Sequence, residues 1–335
     1  MLVQAATGNT SVKLDDVLWI KASGKWLAHA GRDEILVPVS LTETVRRVDT
    51  NTDPAGQTAI VGGQTLGTSV ETAMHAVIPH RVILHVHSVN AIAWAVRADS
   101  RQQLAGLLSG IEWQWIPYLP SGLPLAAAIR KAVSERPETV VFILANHGIV
   151  VCGDSPESAE ALLREVESRI AITPRTVAEP DWDLLGAIAD RISWRVPVNP
   201  AAHTFGLDPI SKSIVERGVL YPCQAIFLSH RVPIVSRYVS ASDVAGIDSA
   251  WLVVDEQGTL LRQPQNPVEG LTLAGLAQVA LRIPAGAPLS YLTQKEVDDL
   301  LCADVYHYRE RVEGNSSDRI PFHQRSADTV GVQLR

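Results

Sequence analysis

The sequence predicts an α/β fold in two domains, and three observations carry that reading. Its 335 residues exceed one ordinary domain. Short β-rich runs alternate with helical apolar spacing along most of the chain. A stretch from Thr173 to Pro180, marked by Pro174 and Pro180, interrupts that alternation near the middle. The expected domains are residues 1–175 and residues 176–335.

In order along the chain, Val17–Lys21 and Ile35–Val39 read as strands, with a turn at Ala22-Ser23-Gly24 after the first. A glycine-rich stretch, Gly62 to Gly67, leads to Thr68-Ser69. From Glu71 the spacing of Met74, Val77 and Ile78 predicts a short helix that Pro79 ends. Val82–His87 is a strand by its β-branched content, and Ala91–Val96 and Leu104–Leu108 read as helical. The apolar run Val140–Leu144 is a buried strand, and Ile149–Cys152 is the next. Ser155 caps a helix with Pro156 at its first position and a buried stripe of Ala159, Leu162, Leu163, Val166 and Ile170. In the second domain Val219–Leu228, Trp251–Asp255 and Thr259–Leu261 read as strands, the last two joined across Glu256-Gln257-Gly258. Thr293 with Glu296 forms a capping box that opens a helix through Val297, Leu300, Leu301 and Val305.

Composition narrows the class. A net charge of −7 without a basic block argues against nucleic-acid binding. Three widely spaced cysteines suit a reducing cytoplasm better than a disulfide scaffold. The N-terminus lacks the basic and apolar regions of a signal peptide, and no run of about 18 apolar residues offers a membrane span. A cytoplasmic protein is expected. Neither a GxGxxG nor a P-loop pattern occurs, so a bound dinucleotide or ATP has no support.

The chemistry concentrates in His85-Val86-His87. On a strand, residues two apart share a face, so both imidazoles can converge on one metal ion. Ten histidines in 335 residues produce this spacing about 0.3 times by chance, so the pair alone is also compatible with two core or surface histidines. His147, just beyond the apolar strand and followed by Gly148, offers a third ligand from a second strand. Three histidines leave a coordination position open, which is the catalytic pattern. The remaining histidines, His29, His75, His80, His203, His230, His307 and His323, share no such spacing and read as surface or capping residues.

Six motifs in order, Gly8-Asn9-Thr10-Ser11, Lys21-Ala22-Ser23-Gly24, Ser69-Val70-Glu71, His85-Val86-His87-Ser88, Ile116-Pro117-Tyr118 with Gly122, and Asn146-His147-Gly148, give the first half a recognisable outline. Over roughly residues 1–172 the chain resembles the class II aldolase/adducin family. The likeness is to its sugar-phosphate aldolase type, including members fused to a short-chain dehydrogenase. The resemblance implies a three-layer α/β/α fold with a mostly antiparallel central sheet and a metal site at strand ends. It further implies a homo-oligomer with sites between subunits. In the family the histidines matching His85, His87 and His147 bind a divalent ion, zinc first, with Mn2+, Fe2+ or Co2+ as alternatives. A glutamate matching Glu71 works beside it as acid and base. Glutamate rather than aspartate there points to aldol or dehydratase chemistry over epimerisation. Gly8, Asn9, Ser23, Gly24, Thr68 and Ser69 match the family's phosphate cradle, with the Glu71 helix presenting its positive end to the anion.

Tyr118 matches a tyrosine that reaches a neighbouring subunit's site as a proton donor; a packing role suits it equally. Two departures stand out. Val70 replaces a hydroxyl residue common in phosphate-binding members, and the helix that precedes the family's Gly-Asn motif has no counterpart before Gly8. Either the start is shortened or the C-terminal half covers that surface. That half shows no ligand set and reads as a second α/β domain, with a degenerate copy of the first as one option. The implied reaction is cleavage of a ketose 1-phosphate to dihydroxyacetone phosphate and an aldehyde. The alternatives are a decarboxylase or dehydratase on the same scaffold, or a non-catalytic adducin-like interaction module.

Overall fold

The computed structural model describes residues 1–54, 60–61, 66–263 and 266–302. The chain divides into two compact units, Met1–Ile172 and Thr173–Arg335, each of mixed α/β structure.

The first unit runs β1 (Asn9–Leu14), β2 (Val17–Lys21), β3 (Leu36–Ser40), α1 (Leu41–Asp49), α2 (Thr72–Val77), β4 (Val82–Val86), α3 (Val89–Ala95) and α4 (Ser100–Leu107). It continues through β5 (Trp113–Ile116), α5 (Leu123–Glu135), β6 (Val141–Leu144), β7 (Gly148–Gly153) and α6 (Pro156–Arg169). The strands form one seven-stranded sheet in the order β3-β2-β1-β4-β7-β6-β5. Every neighbouring pair is antiparallel except β5 with β6.

Strand parity sorts the core into two layers. Val86, Val141, Ile143, Ile149 and Val151 pack with Trp94, Leu104, Leu163 and Val166 from α3, α4 and α6. Their alternates Ile83, Phe142, Leu144, Val150 and Cys152 pack with Met74 of α2 and with Leu125 and Ile129 of α5. The sheet is therefore covered on both faces, as a three-layer α/β/α fold. Ser155 caps α6 through a bond from the Ser158 N–H at 3.2 Å, with Pro156 in the first turn.

Parity also aims the candidate ligand His85. It shares a face with Ile83, so it points to the layer of α2 and α5. Its partner strand β1 was not expected as a strand, because its inward side is polar. Asn9 lies opposite His85 and Ser11 opposite Ile83, and both are buried. Lys13, next on that side, donates Nζ to the carbonyls of Ala76 and Ile78, which the end of α2 leaves without helical partners.

The second unit contains α7 (Trp182–Ile192), β8 (Trp194–Arg195), α8 (Thr204–Leu207), α9 (Pro209–Glu216), α10 (Pro222–Phe227), β9 (Ile234–Val235), α11 (Ala241–Val244), β10 (Trp251–Val254), β11 (Gly258–Arg262), α12 (Pro267–Ala280) and α13 (Gln294–Cys302). Its four-stranded sheet has the order β8-β11-β10-β9. The segment Val219–Leu228 is not a strand: Tyr221 is extended and Pro222 then opens α10. Cys223 through Phe227 is buried on every side, so apolar periodicity cannot separate a short helix from a strand there. The capping box at α13 is present, with Thr293 donating N–H and Oγ to Glu296 at 2.7 Å each and the Glu296 N–H returning to Thr293 at 3.2 Å. Val305, His307, His323 and the stretch Gly62–Thr65 lie outside the described residues. Among the described residues no helix is long and apolar enough to cross a membrane.

Gly8 adjoins the β1–β4 seam with φ +69°, and a Cβ there would stand 2.7 Å from the His85 carbonyl oxygen. Gly8→Ala should therefore lower the unfolding free energy by roughly 1–3 kcal/mol, seen as a reduced urea midpoint. An unchanged midpoint would show that the seam yields at no cost.

Candidate metal centre

Three histidines meet at one end of the sheet. His85 is on β4, His87 follows that strand's last residue, and His147 occupies the turn between β6 and β7. All three are buried. Their ring centroids are mutually 4.9 Å apart with planes near perpendicular, at 70°, 82° and 85°. One ring nitrogen from each lies within 4.8 Å of the others. The turn that delivers His147 needs its neighbours. Asn146 takes the left-handed conformation at φ 52°, which asparagine tolerates well. A Cβ on Gly148 would sit 2.7 Å from the Val86 carbonyl oxygen and 3.4–3.5 Å from the His87 and His85 rings.

Hydrogen bonding prepares the rings for a cation. His85 Nδ1 lies 3.0 Å from the Ile149 carbonyl, which only accepts, so the proton is on Nδ1 and Nε2 presents its lone pair. That Nε2 stands 3.1 Å from Nε2 of His87. Ligands at 2.0–2.1 Å from a tetrahedral ion are spaced roughly 3.3 Å apart, so this pair already stands at the spacing of two ligands of one ion.

Glu71, the residue before α2, closes the group. Its Oε2 is 3.3 Å from His85 Nε2 and its Oε1 is 3.2 Å from His147 Nε2. It accepts from Asn9 Nδ2 at 2.7 Å and from Ser121 Oγ at 3.2 Å. Burial by itself would raise its pKa, but His85, His147 and His87, with the Asn9 amide, outweigh that and hold it well below the carboxylate range. Burial pushes His147 down to about 4 and His87 well below the usual imidazole value, so both are neutral, as metal ligation requires. Lys21 is buried as well, donating Nζ to the carbonyls of Ala6 at 3.1 Å and Lys25 at 2.7 Å. Burial brings it to about 8 against the opposing pull of Glu71, so it is cationic at neutral pH.

The remaining expected site residues divide. Asn9 and Ser69 join the centre directly: Asn9 Nδ2 donates to Ser69 Oγ at 3.1 Å, and Ser69 Oγ accepts the Glu71 N–H at 3.2 Å. Ser23 and Gly24 form a turn laddered to the chain before Ser69, with the Ser23 N–H on Gly67 O at 2.9 Å and Ala22 bridged to Thr68. Gly24 has φ +75°. The helix beside them is only six residues long, so its dipole is smaller than that of a full helix. Val70 is exposed. Tyr118 is partly buried on the loop between β5 and α5, the same loop that carries Ser121 to Glu71.

Sequence reasoning missed Ser121, and it placed His75 and His203 among surface or capping residues, whereas both are wholly buried. His203 is held by the Pro197 carbonyl at 2.9 Å and by the Thr259 N–H at 3.3 Å. His75 had a signal, since it stands four residues after Glu71 and so on the same helical face.

Fold and centre together define an α/β protein with a buried three-histidine, one-carboxylate group suited to a divalent ion. The profile of the family described as Class II Aldolase and Adducin N-terminal domain matches residues 1–173, and the chain belongs to that family. It is 26% identical over 181 residues to an uncharacterized oxidoreductase, YuxG, of Bacillus subtilis, covering 49% of this chain but only 26% of that protein. It is 26% identical over 182 residues to the methylthioribulose-1-phosphate dehydratase of Citrobacter koseri, covering 49% of this chain and 81% of that one. Among solved structures it is similar to the N-terminal class II aldolase domain of a Thermoplasma acidophilum protein, at 22% identity and a TM-score of 0.43, over 49% of this chain and 82% of that one.

The buried imidazoles make the metal-free protein sensitive to acid. His75 is pushed down to about 3 by burial, beside His147 at about 4 and His87. In the unfolded chain these groups take up protons near 6.5. Below that pH the unfolded state binds more protons, so stability present above 6.5 is lost as pH falls towards 4. With chelator present, the urea midpoint should drop steadily from pH 6.5 to 4. A flat profile would contradict the neutral, buried state of these rings.

Proposed function

We propose that the chain is a metal-dependent lyase of the class II aldolase type, cleaving a ketose 1-phosphate to dihydroxyacetone phosphate and an aldehyde. The observation that carries this reading is a buried carboxylate, Glu71, held within 3.3 Å of two of three converging imidazoles. His85, His87 and His147 would hold a divalent ion, most naturally zinc, which supplies Lewis acidity towards the substrate's carbonyl and adjacent hydroxyl.

The chain's own groups account for the proton. In cleavage the bond between the carbon beside the carbonyl and the next carbinol carbon breaks, the carbinol hydroxyl gives up its proton, and the freed carbon gains one. Glu71 is placed to exchange the proton at carbon, with Asn9 and Ser121 orienting its two oxygens. On this reading Tyr118 serves the hydroxyl proton. Gly8, Asn9, Ser23, Gly24, Thr68 and Ser69 receive the phosphate through backbone N–H and hydroxyl donors.

A second reading, dehydration of a related sugar phosphate, is favoured by the Citrobacter relative, whose length the match covers to 81%. It uses proton exchange at the same carbon, removing a proton where cleavage adds one, and releases the hydroxyl of the next carbon as water. The family's use of sites between subunits supports a homo-oligomer for either reaction.

His87→Ala should lose most of the bound metal measured by elemental analysis while the far-UV CD spectrum is kept; a stoichiometric ion in the variant would overturn the ligand set. Glu71→Gln should keep its metal and lose about 10²–10⁴ in kcat on a panel of ketose 1-phosphates. Unchanged turnover would reduce Glu71 to a structural anion. Product analysis on the same panel separates aldehyde release from water loss. Equal rates on phosphorylated and free ketoses would remove the phosphate cradle from the reading.

A further inference from the structure

Glu71 has a second line of partners, and its hydrogen bonds can have only one direction. Asn9 Nδ2 donates to Ser69 Oγ at 3.1 Å and to Glu71 Oε2 at 2.7 Å, which uses both amide hydrogens. Asn9 Oδ1 is then an acceptor, and it faces His75 Nε2. An amide oxygen cannot donate, so His75 carries its proton on Nε2. That leaves Nδ1 bare to accept the Ser11 hydroxyl at 2.7 Å. The chain therefore runs Ser11 to His75 to Asn9 to Glu71. Turning the Asn9 amide over would set its carbonyl oxygen against an ionised carboxylate, so the charge on Glu71 selects the whole arrangement.

All four residues are buried: Ser11 and Asn9 at 4% exposed, His75 at 0% and Glu71 at 4%. Water cannot replace a lost partner readily there, and an unanswered Asn9 Oδ1 would be free to rotate towards another donor. The sequence builds the line from two elements. Asn9 and Ser11 alternate on the inward side of β1, and His75 follows Glu71 by one helical turn.

We propose that His75 is a positioning residue: it holds the Asn9 amide with its N–H groups turned to Glu71 and Ser69, and so fixes the carboxylate in its orientation for proton transfer. This rests on the role given to Glu71 above. A histidine that merely fills space would need neither this tautomer nor any coupling to Asn9.

The test uses the full-length, metal-loaded protein. Nitrogen NMR of ¹⁵N-histidine-labelled protein should show His75 protonated at Nε2 and bare at Nδ1. His75→Leu should lose about 10–100-fold in kcat with metal content and KM little changed. His75→Gln, which keeps a side-chain N–H donor, should recover most of that loss. In an Asn9→Ala background, His75→Leu should cost nothing further, because the two residues act in series. If His75→Leu does not fold, Ser11→Ala removes the far bond instead and should shift the His75 tautomer signal with a loss in kcat. A wild-type His75 protonated at Nδ1, or losses from His75→Leu and Asn9→Ala that simply multiply, would overturn the proposal. If the wild-type protein cleaves no ketose phosphate, the reading of function fails on its own. The tautomer and the Asn9 side-chain amide signals, compared between wild type and His75→Leu, still decide the role of His75.

Discussion

An ionised carboxylate inside a protein is the constraint around which the first unit is built. Glu71 is buried, and a charge in that position is tolerated only where dipoles and opposite charge surround it. Each neighbour meets that requirement in a different way. Asn9 and Ser121 donate to its two oxygens and Lys21 brings a positive charge into the same interior, while the rings of His85 and His147 stand within 3.3 Å of it. Burial keeps His87 and His147 neutral, so what they offer is lone pairs. A group of three lone pairs and one negative charge is most stable around a cation.

The fold meets this demand by giving up apolar packing on a central strand. β1 lies between β2 and β4, yet its inward side carries Asn9, Ser11 and Lys13. The apolar core is displaced to β6 and β7, where Val141–Leu144 and Ile149–Cys152 are buried on both faces. Two glycines then bring the polar strand and the ligand turn close to β4. Gly8 passes the His85 carbonyl and Gly148 passes the Val86 carbonyl, each at a distance that no Cβ allows. The close approach that Gly148 permits is what places His147 beside rings carried by a different strand.

This division explains what could be read from the sequence. His85 and His87 were legible because residues two apart on a strand share a face, and His147 because Asn-His-Gly follows a short apolar run of strand length. The caps at Ser155 and Thr293 were legible because capping depends on residues a few positions apart. β1 was not, since pattern reading takes the apolar side as the inner one and here the inner side is polar. Ser121 and His75 were hidden for a related reason. Their importance lies in partners 50 and 66 residues away in sequence, and although His75 stands one helical turn after Glu71, that spacing does not report its bond to Asn9. Val219–Leu228 was misread because a fully buried segment has no polar face from which to take a period.

The same reasoning separates what the site determines from what it leaves to its surroundings. Proton exchange at the carbon beside a carbonyl is common to aldol cleavage, which adds a proton there, and dehydration, which removes one, and on the proposed function the imidazoles with Glu71 suit both. The two outcomes diverge at the next carbon, where either a carbon–carbon bond breaks or a hydroxyl leaves. On the proposed function, a group near Glu71 but on another element acts there. The loop between β5 and α5 is such an element, because Ser121 anchors it to Glu71 at 3.2 Å while Tyr118 stands three residues earlier. It ends at Gly122, whose φ of +91° suits glycine before α5 begins, so the end of the loop beside Ser121 is fixed. On the proposed function, reaction choice therefore resides in the residues of this loop more than in the metal ligands, and divergence within the family can proceed there without disturbing the buried charge.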